Sequence, residues 1–330
     1  MERMLTGITP SGVAHIGNYI GAIKPALAEQ QDGREHFYFI ADYHSLVKCW
    51  DASLRQQYSY DVAATWLALG LDADKTLFYR QSDVPEILEL NWLLTSVAAK
   101  GLLNRAHAYK DKVAKNVHEG QDADNAITMG LYCYPVLMAA DILAFNAKYV
   151  PVGKDQIQHI EIARDIAARF NHIYQQEVFV QPEAVVNEKT QTILGLDGRK
   201  MSKSYQNTIP VFTSSKQLRK NVMKIVTNSQ LPEEPKDPEA CTVFSIYSAL
   251  ATDEQVKELR ARYEQGIGWG EAKQVLYEHL ESLLQGPREK YRALMADRAG
   301  LDRLLEQGAL RARDIAGPIL QQAKRAAGVI

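Results

Sequence analysis

Cysteine is scarce in this chain. Only Cys49, Cys133 and Cys241 occur among 330 residues, far apart and with no Cys-x-x-Cys pair. That argues against both a disulfide framework and a thiolate zinc site, and for a reducing compartment. Long apolar runs are missing as well: no stretch reaches the roughly 20 residues of a membrane-spanning helix. The opening residues Met-Glu-Arg-Met lead into no apolar segment that reads as a signal peptide. The expectation is a cytoplasmic protein. Charge of one sign is also missing. The formal net charge is −2, so only a local basic patch could point to a nucleic-acid partner. No internal repeat or low-complexity block is visible. What remains is an ordinary globular composition, 46% hydrophobic and 24% charged. It is long enough for a large core and, as a starting expectation, two domains.

Strand and helix signals alternate in the first two thirds. His36–Leu46 begins aromatic and β-branched, Thr76–Ser82 reads the same way, and Lys148–Gly153 is a short strand; Met4–Ile8 is a candidate first strand. Asp83–Glu86 fits a capping box with proline in the first turn, predicting a helix through Leu103. Tyr134–Phe145 reads as a buried helix and Asp155–Phe170 as a periodic amphipathic one. This alternation predicts an α/β fold with a doubly wound, Rossmann-like parallel sheet. After about Pro210 strand signals fade and helices dominate, separated by the proline-rich Leu231–Ala240. The predicted organisation is a catalytic domain over 1–210 and an all-helical domain over 211–330.

Two segments carry chemistry. Thr6–Pro25 holds four glycines, two prolines and one histidine in twenty residues. In a doubly wound sheet, ligands sit where strands end and helices begin, and a helix N-terminus suits phosphate. Pro10, Ser11 and Gly12 make a turn after the first strand, and His15-Ile16-Gly17-Asn18 opens a helix. Gly17 leaves room at the backbone, and His15 and Asn18 stand three apart, both able to face one phosphate. A plain turn and helix cap has the same composition. The second segment, Asp197–Ile209, carries Lys200 and Lys203 around Met201 and Ser202 in a glycine-flanked loop. Two ammonium groups on a closing loop suit a pyrophosphate leaving group, although a solvated basic turn has the same residues.

At this point the chain resembles the class I aminoacyl-tRNA synthetases. His15–Asn18 is similar to their HIGH signature, with Asn18 in place of the last histidine as in the tryptophan and tyrosine branches. Lys200-Met201-Ser202-Lys203-Ser204 matches KMSKS letter for letter, about 185 residues further on.

Tyr134, Met138 and Asp141 fall at i, i+4 and i+7, on one face of an otherwise apolar helix. A carboxylate in an apolar pocket can accept one N–H, and an indole supplies one on a flat apolar body. A buried structural acid beside a core methionine fits the spacing equally. The stretch resembles the specificity helix shared by the tyrosyl and tryptophanyl enzymes. Met138 replaces the tyrosyl glutamine, and Val150–Asn171 also resembles the bacterial tryptophanyl branch. The resemblance implies that Asp141 accepts the indole N–H. Met138, Val150 and Val152 wall the ring beside His44, with Gly7 alongside, and Tyr134 and Gln156 hold the α-ammonium. It places Thr9, Pro10, Ser11, Gly17, Asn18, Gly153, Lys154, Asp155, Ile193 and Lys200–Ser204 around ATP, with His15, Asn18, Lys200 and Lys203 catalytic. Thr9 and Ala108 stand where relatives carry glutamine, and Lys154 where an acid is common. Lys112 is a further phosphate candidate.

The implied partners are tryptophan, Mg-ATP as a substrate complex and tRNA(Trp), in a homodimer whose candidate interface includes Leu88–Leu103 and Tyr132–Leu143. No histidine–cysteine spacing suggests a resident metal. Lys216, Arg219, Lys220 and Lys224 form a basic helical stripe suited to tRNA phosphates or to solvent. Three other readings stay open: a tyrosyl enzyme, a non-catalytic tRNA- or nucleotide-binding paralogue, and a nucleotidyltransferase making a small adenylated product.

Overall fold

The computed structural model describes residues 2–186 and 193–330. Five strands form its sheet: β1 (Arg3–Ile8), β2 (Glu35–Ile40), β3 (Leu77–Arg80), β4 (Tyr149–Pro151) and β5 (Glu183–Val185). All pair in parallel, in the order β3-β2-β1-β4-β5. The direction of winding reverses between β1 and β4, which opens a crevice at their carboxyl ends.

The expected doubly wound sheet is therefore present, and the composition of β2 shows why. As a central strand it is apolar on both faces. Phe37 and Phe39 pack against the helices Pro85–Val97, Met129–Leu143 and Ile157–Tyr174. Tyr38 and Ile40 face the opposite layer, built on Ala52–Leu69. The Tyr38 hydroxyl escapes the burial penalty by donating to the Ala26 carbonyl at 2.7 Å.

Two local expectations fail. Asp83 does not cap the following helix. Its carboxylate accepts from Arg80 Nε at 2.9 Å, and the helix begins at Pro85 without a side-chain cap. A guanidinium at the end of β3 is the stronger partner than a backbone N–H, because both groups are charged. That helix also stops at Val97. Ala98 and Ala99 are extended, and Lys100–Leu103 is a separate turn.

Beyond Val211 the described chain is helical. Helices Ser215–Met223, Thr242–Ser248, Asp253–Gln265 and Trp269–Ala296 enclose a core that includes Leu218, Val222, Phe244 and Leu276. Ile16, Ile193, Met201 and Ile209 belong to the same cluster, so both signature segments root in it. The last helix, Arg298–Ala326, returns to the sheet. Its Ala309, Ala312 and Ala316 join one face's core while Leu301 and Leu305 join the other's, straddling the edge strand β3. Contact is so close at Gly308 that a β-carbon there would lie 1.8 Å from the Phe78 carbonyl oxygen. Covering this edge also removes a free row of strand hydrogen-bonding groups. Among the described residues, no helix is long and apolar enough to cross a membrane.

Candidate active site

Two cavities meet in the crevice. The first, about 480 Å³, is within the usual range for a small-molecule site. It brings together all eight residues expected around the amino acid: Gly7 from the end of β1, His44, Tyr134, Met138 and Asp141, then Val150, Val152 and Gln156 from β4 and the turn after it. Thr9 and Ala108 also line it. A side chain at position 7 would put its β-carbon 2.8 Å from the Phe39 ring, so glycine keeps this wall open.

Asp141 is more constrained than the sequence suggested. Its side chain has no exposed surface. His44 Nε2 donates to its Oδ2 at 2.8 Å and Gln81 Nε2 to its Oδ1 at 2.7 Å. Burial pushes the carboxyl's pKa up, opposed by the His44 and Gln81 hydrogen bonds. Two of its approximately four acceptor positions are used. Gln81 is itself fully buried, its Oε1 accepting from the Tyr43 N–H at 3.1 Å. No sequence signal distinguished this glutamine, because it lies in a turn after β3 and acts across 60 residues. Behind it Asp42 accepts from the Ser82 N–H at 3.0 Å, and burial raises that carboxyl as well. At the other end of the cavity Gln156 donates to Asp155 at 2.9 Å, leaving its carbonyl oxygen as an acceptor.

The second cavity, about 900 Å³, shares Pro151, Val152 and Gly153 with the first. It is lined by Ser11, His15, Gly17 and Asn18, by Gly153 and Lys154, and by Ile193 with Lys200–Ser204. Pro10 is buried and lines neither cavity. Asp155 is on neither wall and turns instead to Gln156. Lys112 lines neither as well.

His15 caps the helix it opens. Its Nδ1 accepts from the Asn18 N–H at 3.2 Å, while Asn18 Oδ1 accepts from the His15 N–H at 3.1 Å. A ring nitrogen that accepts carries no proton, so a neutral His15 is protonated at Nε2. Burial, with the nearby Lys203 ammonium, lowers its pKa to about 4, so the ring is neutral at physiological pH. The two signature segments touch: the Gly17 N–H points at Met201 Sδ, 3.3 Å away. Backbone bonds Ile16 N to Ile209 O and Val211 N to Ala14 O, at 2.8 and 2.9 Å, join the segments further.

The lysine loop folds around buried Asn207, another residue the sequence did not mark. Its Oδ1 accepts from the Ser202 N–H at 2.8 Å, and its Nδ2 donates to Asp197 at 2.7 Å and to the Lys200 carbonyl at 3.0 Å. Lys203 reaches back across the crevice and donates to the Ser11 carbonyl at 3.2 Å. Lys200 is exposed. One lysine therefore already spans the two signature segments, while the other is exposed, its ammonium forming no hydrogen bond or ion pair with a described residue.

A neutral donor at a helix N-terminus and a two-lysine loop rooted in the same core make a site for a phosphate chain, next to an amino-acid-sized pocket with a buried carboxylate. The chain belongs to the family of class I tRNA synthetases for tryptophan and tyrosine (W and Y), whose family model matches residues 1–285. Within that family its relatives are specific. A tryptophan–tRNA ligase of Pseudomonas putida is 57% identical over 330 residues, covering 99% of this chain and 74% of that protein. A tryptophan–tRNA ligase of Neisseria meningitidis is 50% identical, covering 99% and 98%. The structure of a tryptophanyl-tRNA synthetase from Campylobacter jejuni, complexed with ADP and tryptophan, matches with a TM-score of 0.90 at 47% identity, covering 99% of both chains.

Proposed function

We infer that this chain acts as a tryptophan–tRNA ligase. The observation that carries the reading is the pairing of the two cavities: an apolar pocket ending on Asp141 opens, past Pro151–Gly153, onto a chamber faced by His15, Lys200 and Lys203. In the proposed reaction the tryptophan carboxylate attacks the α-phosphate of Mg-ATP. A bond forms between carboxylate oxygen and phosphorus, and the bond to the bridging oxygen breaks, releasing pyrophosphate. A terminal hydroxyl of tRNA(Trp) then attacks the acyl carbon and AMP leaves. Because the substrate supplies the nucleophile, the protein's part is positioning and charge stabilisation. Magnesium arrives as part of the nucleotide substrate.

In this reading Asp141 accepts the indole N–H on a remaining lone pair. Met138, Val150 and Val152 flank the ring, with His44 and Gly7 beside them. The oxygens of Tyr134 and Gln156 take the α-ammonium. His15 donates from Nε2 to a phosphate oxygen, supported by its tautomer. Asn18, whose oxygen is committed to the helix cap, offers its amide N–H. Lys200 and Lys203 hold the leaving pyrophosphate, and Ser11, Gly17, Gly153, Lys154, Ile193, Met201, Ser202 and Ser204 surround the nucleotide. Thr9, expected beside ATP, lines the amino-acid cavity and not the nucleotide chamber, so its side chain faces the tryptophan side in this reading. The roles of Pro10 and Asp155 are indirect: the first shapes the turn and the second orients Gln156.

We also propose that residues 211–330 serve tRNA binding. Lys216, Arg219, Lys220 and Lys224 are exposed on and just after one helix, and none forms an ion pair with a described residue. A homodimer is proposed through the helices Pro85–Val97 and Met129–Leu143. Trp92 and Met129 there are 71% and 70% exposed, an unusual placement for large apolar side chains. The direct test of function is charging of tRNA(Trp) transcript with labelled tryptophan. Acyl-tRNA should form with the parent and be strongly reduced by Lys200→Ala. Charging that tRNA with tyrosine instead would replace the reading.

A further inference from the structure

The helix Ile157–Tyr174 places one more side chain against the amino-acid pocket. His159 is only 4% exposed, and its Nε2 lies 2.5 Å from the Tyr134 hydroxyl. No other hydrogen-bond partner of that hydroxyl exists among the described residues. The other ring nitrogen, Nδ1, is buried and has no hydrogen-bond partner among the described residues. An orphaned buried nitrogen is costly and calls for a reason other than stability.

The chemistry of the α-ammonium supplies one. An ammonium group only donates, so an oxygen that receives it must have its own proton directed elsewhere. We propose that His159 is a positioning residue for amino-acid recognition: its Nε2 accepts the Tyr134 O–H and thereby turns the phenol's lone pairs toward the substrate's α-ammonium. This rests on the reading that Tyr134 meets that ammonium.

Two features of the surroundings agree. Burial, reinforced by His107 and His44 and opposed by Asp155, lowers the His159 pKa. The ring is therefore uncharged at neutral pH and free to accept. An imidazolium here would instead donate to Tyr134 and set a second positive charge beside the substrate's own. Second, a neutral ring leaves Nδ1 unpaired in either tautomer, so a phenyl ring would fill the same space without that cost. The pair serves the pocket at the expense of stability, a pattern common at binding sites.

The experiment compares the full-length parent with His159→Phe, His159→Gln and Tyr134→Phe. It measures tryptophan KM and kcat in ATP–pyrophosphate exchange, the inhibition constant of 3-(indol-3-yl)propionate, which lacks the ammonium, and the thermal midpoint. His159→Phe is expected to raise tryptophan KM about tenfold with kcat little changed, the scale of one net hydrogen bond to a charged group. The propionate should bind as before, and the melting temperature should not fall. His159→Gln, which keeps an acceptor near the Nε2 position, should restore most of the affinity. Tyr134→Phe should match His159→Phe, and the double variant should be no worse than either single one.

If Tyr134→Phe raises tryptophan KM and His159→Phe does not, the role of His159 is overturned and that of Tyr134 stands. If neither changes KM, the Tyr134 reading itself fails. Equal weakening of tryptophan and the propionate, or a destabilised or aggregated His159→Phe, would make His159 a packing residue.

Discussion

His44 Nε2 and Asp141 Oδ2 lie 2.8 Å apart at the closed end of the amino-acid cavity, and Gln81 holds the other carboxylate oxygen at 2.7 Å. The carboxylate proposed to recognise indole is therefore fixed by two protein donors before any ligand arrives. Replacing Asp141 with Ala should leave both donors unpaired and cost about 1–3 kcal/mol of folding stability, together with a large rise in tryptophan KM. Urea unfolding and pyrophosphate exchange measure the two effects separately. Unchanged tryptophan activation would remove Asp141 from the pocket's chemistry.

Asn207 provides a test of the lysine loop. Asn207→Ala removes the acceptor of the Ser202 N–H and the donor to Asp197 and to the Lys200 carbonyl. The expected result is a higher KM for ATP and a stability loss of about 1–3 kcal/mol. Tryptophan binding, measured by calorimetry without nucleotide, should be preserved. A loss confined to tryptophan binding would contradict the assignment of the loop to the nucleotide side.

Gly308 tests the docking of the last helix. A β-carbon at this position would sit 1.8 Å from the Phe78 carbonyl oxygen, backbone that cannot swing aside. Gly308→Ala should destabilise by about 1–3 kcal/mol through overpacking, despite the better helix propensity of alanine. Denaturant unfolding checks it. A stabilised variant would mean that the helix does not press on β3 in solution.

The pH dependence follows from His15. Its folded-state pKa of about 4 lies below its ordinary 6.5. Between those values the unfolded chain binds the proton and the folded chain does not, so stability rises with pH across that window. The contribution is fully present above pH 6.5 and is lost as pH falls through 4. Urea unfolding at pH 7.5 and pH 5 should show a smaller acid-side loss in His15→Gln than in the parent. Equal losses would place the His15 ring in water.

Much of this was legible in the sequence, for physical reasons. The alternation of strands and helices, and the i, i+4, i+7 spacing of Tyr134, Met138 and Asp141, are local patterns, and local patterns survive in a linear reading. The eight expected amino-acid-site residues converge on one cavity because the ends of β1 and β4 adjoin. Gln81, Asn207 and His159 escaped notice because each acts through a hydrogen bond that only tertiary packing creates. Asp83 misled because its sequence context fits a cap, while the charge of Arg80, which the context does not weigh, takes its carboxylate.

Amino-acid-dependent ATP–pyrophosphate exchange by the purified chain tests the central claim most directly. Exchange should be supported by tryptophan, with tyrosine inactive or weaker by orders of magnitude, since a pocket built around a buried hydrogen-bonding group rejects ligands that leave it unpaired. Exchange driven by tyrosine, or none with either amino acid, would contradict the account.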